Sequence, residues 1–224
     1  MKNKIIITIG RQFGSGGRAT GKLLAEKLEI NYYDNELITL AAKESGLCPE
    51  IFEKADEKVS KGLVYAFSAG FSNLGIFTPS QDIMSNERLF QLQSDTIRNI
   101  AEKESAVIVG RCADYILRNN PDCIKIFIHA NKEFRVKNII QSQQISEEEA
   151  LEMINKADKS RAAYYNYYTD KVWGHASSYN LTVDSSVLGV EETVGFLLDF
   201  VKRKFTQNIF QYPPLKIQEF VSDA

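Results

Sequence analysis

The chain predicts an α/β fold, a parallel sheet with helices on its faces, and three observations carry that prediction. Short β-branched runs alternate with longer helical patterns along the 224 residues, as they do where parallel strands are joined by helical crossovers. The first run, Ile5-Ile6-Ile7-Thr8-Ile9, empties into a loop holding Gly10, Gly14, Gly16 and Gly17. An amphipathic segment follows at once, with Leu23, Leu24, Ala25 and Leu28 on its apolar side.

Strand, glycine loop and helix in that order form a phosphate cradle. Glycines let successive backbone N–H groups turn toward one anion, and the helix adds its positive N-terminal end. The expected strands are Ile5–Ile9, Asn31–Tyr33, Ala106–Val109, Ile124–His129 and Asn180–Val183. Helices are expected at Arg18–Leu28, Asn35–Ser45, Ser85–Lys103, Lys132–Gln143, Ser146–Tyr168 and Val190–Lys204. Ser146 followed by three glutamates is a helix start, a capping hydroxyl before an acidic first turn. Ser60–Asn86, rich in Gly, Ser, Phe and Tyr, breaks the alternation, and a mobile surface loop or a homodimer contact are its plain readings. The tail from Thr206 to Ala224 carries Pro213-Pro214 and is expected to leave the domain.

Composition narrows the function classes. With 44% hydrophobic and 25% charged residues the chain can bury a full core as one domain, with or without a lid. A formal net charge of −2 argues against a general nucleic-acid binder. Cys48, Cys112 and Cys123 lack metal-ligand spacing, so free thiols in a reducing cytoplasm are expected and a metal site is not. The N-terminal apolar run is too short for a membrane span or signal peptide. His129 and His175 have no triad or ligand set around them and read as packing and surface residues.

Two phosphate motifs compete for the loop. Gly14-Ser15-Gly16-Gly17-Arg18-Ala19 satisfies a dinucleotide fingerprint, with Asp34 near the place of a ribose-binding acid. Arg11, Gln12 and Phe13 lengthen the loop beyond that fold's tight turn. Gly16 to Gly21-Lys22 has Walker spacing, but Leu23 follows, and Lys22 reads as an exposed helix residue.

Gly14-Ser15-Gly16, then Leu24-Ala25-Glu26-Lys27-Leu28 and Tyr33-Asp34, resembles the opening of the cytidylate kinase-like family. The resemblance runs from about Lys4 to Phe205 and implies a P-loop kinase fold over residues 1–205, with 60–86 closing over an acceptor and 132–170 forming a small helical lid. It also implies ATP and Mg²⁺ as cofactors, with a nucleoside monophosphate such as CMP or dCMP as acceptor. Gly14, Ser15, Gly16, Gly17, Arg18, Ala19 and Thr20 would then cradle the nucleotide. The family's loop lysine falls on Gly17 and its threonine on Ala19, so Arg18 or Arg11 replaces the lysine, or transfer is slow or absent.

Two further motifs belong to the resemblance. Gly110-Arg111 matches two-thirds of the family's Gly-Arg-Asp, with Cys112 in the aspartate's place and Asp114 two residues on. Arg111, Asp114 and Asp34 are the implied acceptor contacts, with Arg111 also a catalytic cation. Asp158 and Arg161 fit the family's charged lid motif, whereas Ile154 and Asn155 do not, which leaves Lys156 and Lys159 as substitute cations. Arg18, Arg111, Asp158, Lys159 and Arg161 are therefore the expected catalytic set, and Arg135 a weaker lid candidate. Two other readings stay open: a nucleotide-binding sensor or scaffold on a degenerate kinase fold, and a kinase for another small metabolite.

Overall fold

A computed structural model of the chain describes residues 4–34 and 83–207. The expected helix Asn35–Ser45, most of the 60–86 segment and the tail beyond residue 207 lie outside the described residues.

Five strands form one sheet: β1 (Ile6–Arg11), β2 (Asn31–Tyr33), β3 (Ala106–Val109), β4 (Cys123–His129) and β5 (Leu181–Asp184). Their order is β2-β3-β1-β4-β5, and every pairing is parallel. The helices are α1 (Gly17–Leu28), α2 (Ile83–Lys103), α3 (Ala113–Ile116), α4 (Lys132–Gln143), α5 (Glu147–Thr169) and α6 (Ser185–Gln207), with a short 3₁₀ turn at Ala176–Ser178.

The β1 and β3 runs lack polar alternation because both of their faces are covered, as parallel sheets require. Ile7, Ile9, Val107 and Val109 face one core with Leu24 of α1 and Val194, Leu197 and Val201 of α6. Ile6, Ala106 and Ile108 face the other, with Ile97 and Ile100 of α2 and Tyr165 of α5. Each fully buried isoleucine contributes about 1.5–3 kcal/mol of hydrophobic stabilisation. A third, separate cluster of Val136, Ile139, Ala150 and Ile154 packs α4 against α5, so these two helices carry an apolar core of their own.

Local signals set the helix ends. Ser146 and Glu149 form a reciprocal capping box at the start of α5, and the Asn131 side chain accepts from Phe134 N at 2.8 Å at the start of α4. α6 bends at Gly189 (φ 75°, ψ 177°), so the expected start at Val190 is the start of its second segment. The turn before the bend is held by Asp184, whose carboxylate accepts from Ser186 N at 2.9 Å. The sequence reading missed the four residues of α3, which are too few to show a period.

β1 lies between β3 and β4, and the connections that leave β1 and β3 cross the sheet in opposite directions. A crevice opens beyond the carboxyl ends of strands at such a reversal. The glycine loop, the β3–α3 turn and the α4–α5 pair all border it.

Candidate functional site

The loop after β1 is built by bonds that turn its carbonyls away from the crevice. Gln12 N donates to Ile128 O at 3.0 Å, anchoring the loop to β4. Ser15 is fully buried; its hydroxyl donates to Gln12 O at 2.9 Å while its own carbonyl accepts from Ser185 Oγ at 2.6 Å. Gly14 and Gly16 have φ of 79° and 75°, the left-handed region that other residues enter at a cost. A side chain at Gly14 would also meet Arg135 O at 2.8 Å. Gly16 caps α1 without a side-chain hydrogen bond, so no side chain of the cap competes with an anion for the first helical N–H groups.

Three side chains of α4 and α5 grip the same loop from the other side. Arg135 Nε donates to Phe13 O at 2.7 Å, Asn138 Nδ2 to Gly14 O at 2.9 Å, and Arg161 Nη1 to Arg11 O at 3.2 Å. Asp158 accepts from Phe13 N at 2.8 Å and is paired with the buried Arg135. Asp158 thus touches loop backbone, and Arg135, a weak expectation from sequence, is one of the loop's main anchors. Asn138 and Ser185 carried no sequence signal at all, because their roles depend on elements far away in the chain.

Facing the loop is a group of cations. Arg11, Arg111 and Arg161 line one cleft of about 1240 Å³ with Gly14, Gly16 and Gly17. Burial pulls the Arg11 guanidinium well below its ordinary value, and the charges of Arg161 and Arg111 add to that shift against Tyr32 and Asp34. Burial brings Arg161 down to about 10, with Asp158 opposing and Arg111 and Arg135 reinforcing. Among the described residues no carboxylate forms an ion pair with Arg11, Arg111 or Arg161. Like charges held together this way leave an anion as the missing partner.

Arg111 sits in a strained turn. Gly110, Arg111 and Cys112 are left-handed in succession, at φ 83°, 55° and 55°, and two of the three are not glycine. Such strain concentrates at sites where a side chain must be aimed. The turn puts the Arg111 guanidinium 5.7 Å from the Tyr164 ring centroid and sends Cys112 into the core. Burial pushes the Cys112 thiol up, so it is a packing group and no nucleophile.

The remaining expected residues separate. Arg18 is 65% exposed at its side chain and bonded to the buried Asp34, Nη2 to Oδ2 at 2.6 Å; Asp34's charge and hydrogen bond outweigh burial and raise the Arg18 pKa. Ala19 is exposed at the cleft, whereas Thr20 is fully buried outside its lining, its hydroxyl without a partner among the described residues. Asp114 lines the cleft but accepts from Tyr165 OH at 2.8 Å, and burial raises its pKa. Lys156 lines the cleft; Lys159, next to Asp158, is exposed and does not.

Glycine cradle and arginines fit a polyphosphate. Magnesium fits less directly: among the described residues no three metal-ligating side chains converge, and Asp34 and Asp114 are engaged by Arg18 and Tyr165. Mg²⁺ would enter on the phosphates of a nucleotide, which is its common mode.

Sheet order, loop and site together define a P-loop kinase fold. More narrowly, the chain belongs to the cytidylate kinase-like family, which it matches over residues 6–187. It is 30% identical over 181 residues to a cytidylate kinase from Methanosarcina barkeri, covering 80% of this chain and 86% of that one. A cytidylate kinase from Sulfolobus acidocaldarius is 24% identical over 195 residues, covering 85% and 91%. An uncharacterised protein from Eubacterium ventriosum, known by its crystal structure, superposes with a TM-score of 0.67 at 29% identity, covering 89% of this chain and 99% of that one.

Proposed function

We propose that this protein transfers the terminal phosphoryl group of ATP to a nucleoside monophosphate, with CMP or dCMP as the preferred acceptor. The observation that carries the reading is the set of three arginines that, among the described residues, form no ion pair with a carboxylate and line one cleft with a glycine cradle. Phosphoryl transfer asks little covalent chemistry of a protein; it asks for in-line positioning and for positive charge on the moving group. In this reading the loop from Gly14 to Ala19 binds the ATP phosphates through backbone N–H groups, while Thr20 N donates to Gly16 O. Arg111 holds the acceptor phosphate, and Arg161, reaching over from the lid, stabilises the group in flight. The acceptor phosphate oxygen forms the new P–O bond as the bond to the ADP leaving oxygen breaks.

Asp158 and Arg135 act indirectly, by fixing the loop backbone, while Arg18 and Asp34 form the rim of the nucleotide end. Lys156, and Lys159 beyond it, add charge at the lid. Membership of the cytidylate kinase-like family supports the same reaction class. Among the described residues no helix is long and apolar enough to cross a membrane.

Coupled ADP release, measured with ATP·Mg²⁺ and a panel of CMP, dCMP, UMP, AMP and small hydroxylated or phosphorylated metabolites, tests the reading. The expected result is turnover fastest with CMP or dCMP. A different preferred acceptor would keep the kinase and move its substrate. ATP binding with no turnover on any acceptor would leave a nucleotide sensor.

A further inference from the structure

We propose that Arg11 is the cation that holds the outer phosphates of ATP in this protein, replacing the lysine that a P-loop carries. The assignment deepens the ATP-dependent reading above and rests on it. It begins with spacing. A Walker loop reads Gly, four residues, Gly, then Lys, and with the lysine position at Gly17 the second glycine is Gly16 and the first falls on Arg11. The two positions have exchanged residue types: glycine stands where the cation belongs, and a cation stands where the first glycine belongs.

The exchange is spatial as well. A Cβ placed on Gly17 would lie 2.5 Å from Arg11 Cβ and 3.1 Å from Arg11 Cγ, so the Arg11 stem runs through the room that a residue-17 side chain would enter. At its far end a Cβ on Gly110 would overlap the Arg11 guanidinium. Glycine at 17 and glycine at 110 together open the channel that Arg11 fills. Its head therefore arrives beside Arg111 and Arg161 in the cleft. Arg11 is the last residue of β1, in register with Ile128 of β4, so the stem starts from the hydrogen-bonded end of a central strand. Among the described residues no acceptor bonds to its side chain.

Arg18, next to the family's lysine position, is directed otherwise, its guanidinium committed to Asp34. A guanidinium also suits the task, since its planar fork can bind two phosphate oxygens at once where an ammonium acts as a point charge.

Calorimetry on the full chain provides the test, with ATP·Mg²⁺, ADP and adenosine titrated into the wild type and four variants (Arg11→Met, Gly17→Lys, Arg11→Gly and the double Arg11→Gly/Gly17→Lys) whose thermal melts are recorded alongside. Arg11→Met keeps most of the stem and removes the charge. It is expected to weaken ATP binding about 10- to 100-fold, the size of a lost charge-assisted hydrogen bond, and to leave adenosine binding unchanged. Gly17→Lys alone, although it restores the Walker residue, is expected to weaken ATP binding because the new stem collides with Arg11. Joined to Arg11→Gly, the same lysine finds the channel open, and the double variant should recover ATP affinity to within about tenfold of wild type. A folded Arg11→Met variant that binds ATP as wild type does, or a folded double variant that gains nothing over Arg11→Gly, overturns the assignment.

Chemical protection settles the matter even where variants fail to fold. In the wild type, phenylglyoxal modification of Arg11, mapped by mass spectrometry, must be blocked by ATP·Mg²⁺ and unaffected by adenosine. Arg11 still modified under saturating ATP overturns the role while leaving the kinase reading intact. A wild type that binds no ATP at all overturns both.

Discussion

The two walls of the cleft are built from the same kind of residue and do opposite things. On the α4–α5 wall Arg135 and Asp158 neutralise one another and spend their remaining hydrogen bonds on the Phe13 backbone. On the sheet wall Arg11 and Arg111, with Arg161 reaching across from α5, line the cleft with no ion pair to a carboxylate among the described residues. Asp158 and Arg161 are three residues apart on one helix, yet one closes a structural network and the other completes an unbalanced one. The first wall holds the loop in shape; the second brings like charges together, which a phosphate would relieve under the proposed function. Local charge composition does not distinguish them, and the pairing does.

The largest effect is expected where the balanced wall is broken. Asp158→Ala strands the buried Arg135 charge and the Phe13 N–H together, and should cost about 3 kcal/mol of stability in urea unfolding. Asp158→Asn keeps an acceptor for Phe13 N and should cost less. An alanine variant as stable as wild type would mean that the lid and loop are held by other contacts.

Weakening the unbalanced wall should act in the opposite sense. Arg111→Gly relieves a left-handed φ of 55° and removes one of three mutually repelling charges. The nucleotide-free protein should gain about 0.5–1 kcal/mol, while turnover falls by at least about tenfold. Thermal melts and coupled assays on one preparation read both, and a variant that loses stability would place Arg111 in the first kind of wall.

Alkaline pH sharpens the contrast further. Burial pulls Arg161 down to about 10, below the ordinary arginine value, so between the two the unfolded chain holds a proton that the fold has lost. This group's contribution to stability therefore rises with pH across that window. Phosphate binding needs the charged form, so ATP affinity should fall as pH climbs past about 10. Comparison with Arg161→Met isolates the group: the variant's ATP affinity should lack that step. The smallest effect belongs to Arg18→Ala, since Arg18 is 65% exposed and bonded to Asp34. ATP affinity should change by less than about fivefold, and a larger loss would return the loop cation to Arg18.

Much of the frame was legible because it depends on local rules. β2 and β3 match their expected bounds, and β1 begins one residue later than expected. The Ser146 cap and the Asn131-led start of α4 follow from side chains bonding backbone three residues away, a range that sequence reports well. The bend at Gly189 was half-legible, as a glycine before the expected helix start. The positions of the proposed site residues were less legible than the frame. Arg111 and Arg161 both line the cleft, whereas Asp158 bonds the loop backbone and Asp114 accepts from Tyr165.

The sequence by itself determined the layered α/β frame, the glycine cradle and the family, since β-branched runs, helical periods and motif spacing each act over a few residues or a single crossover. Only the tertiary structure decided which charges are paired. Arg135 meets Asp158 and Arg18 meets Asp34, while among the described residues Arg11 forms no ion pair with a carboxylate. Those outcomes turn on ångström-scale room, such as the 2.5 Å between Arg11 Cβ and an imagined Cβ at Gly17. The far end of the same room is set by Gly110, which meets the Arg11 guanidinium only once β3 has paired with β1 from far along the chain.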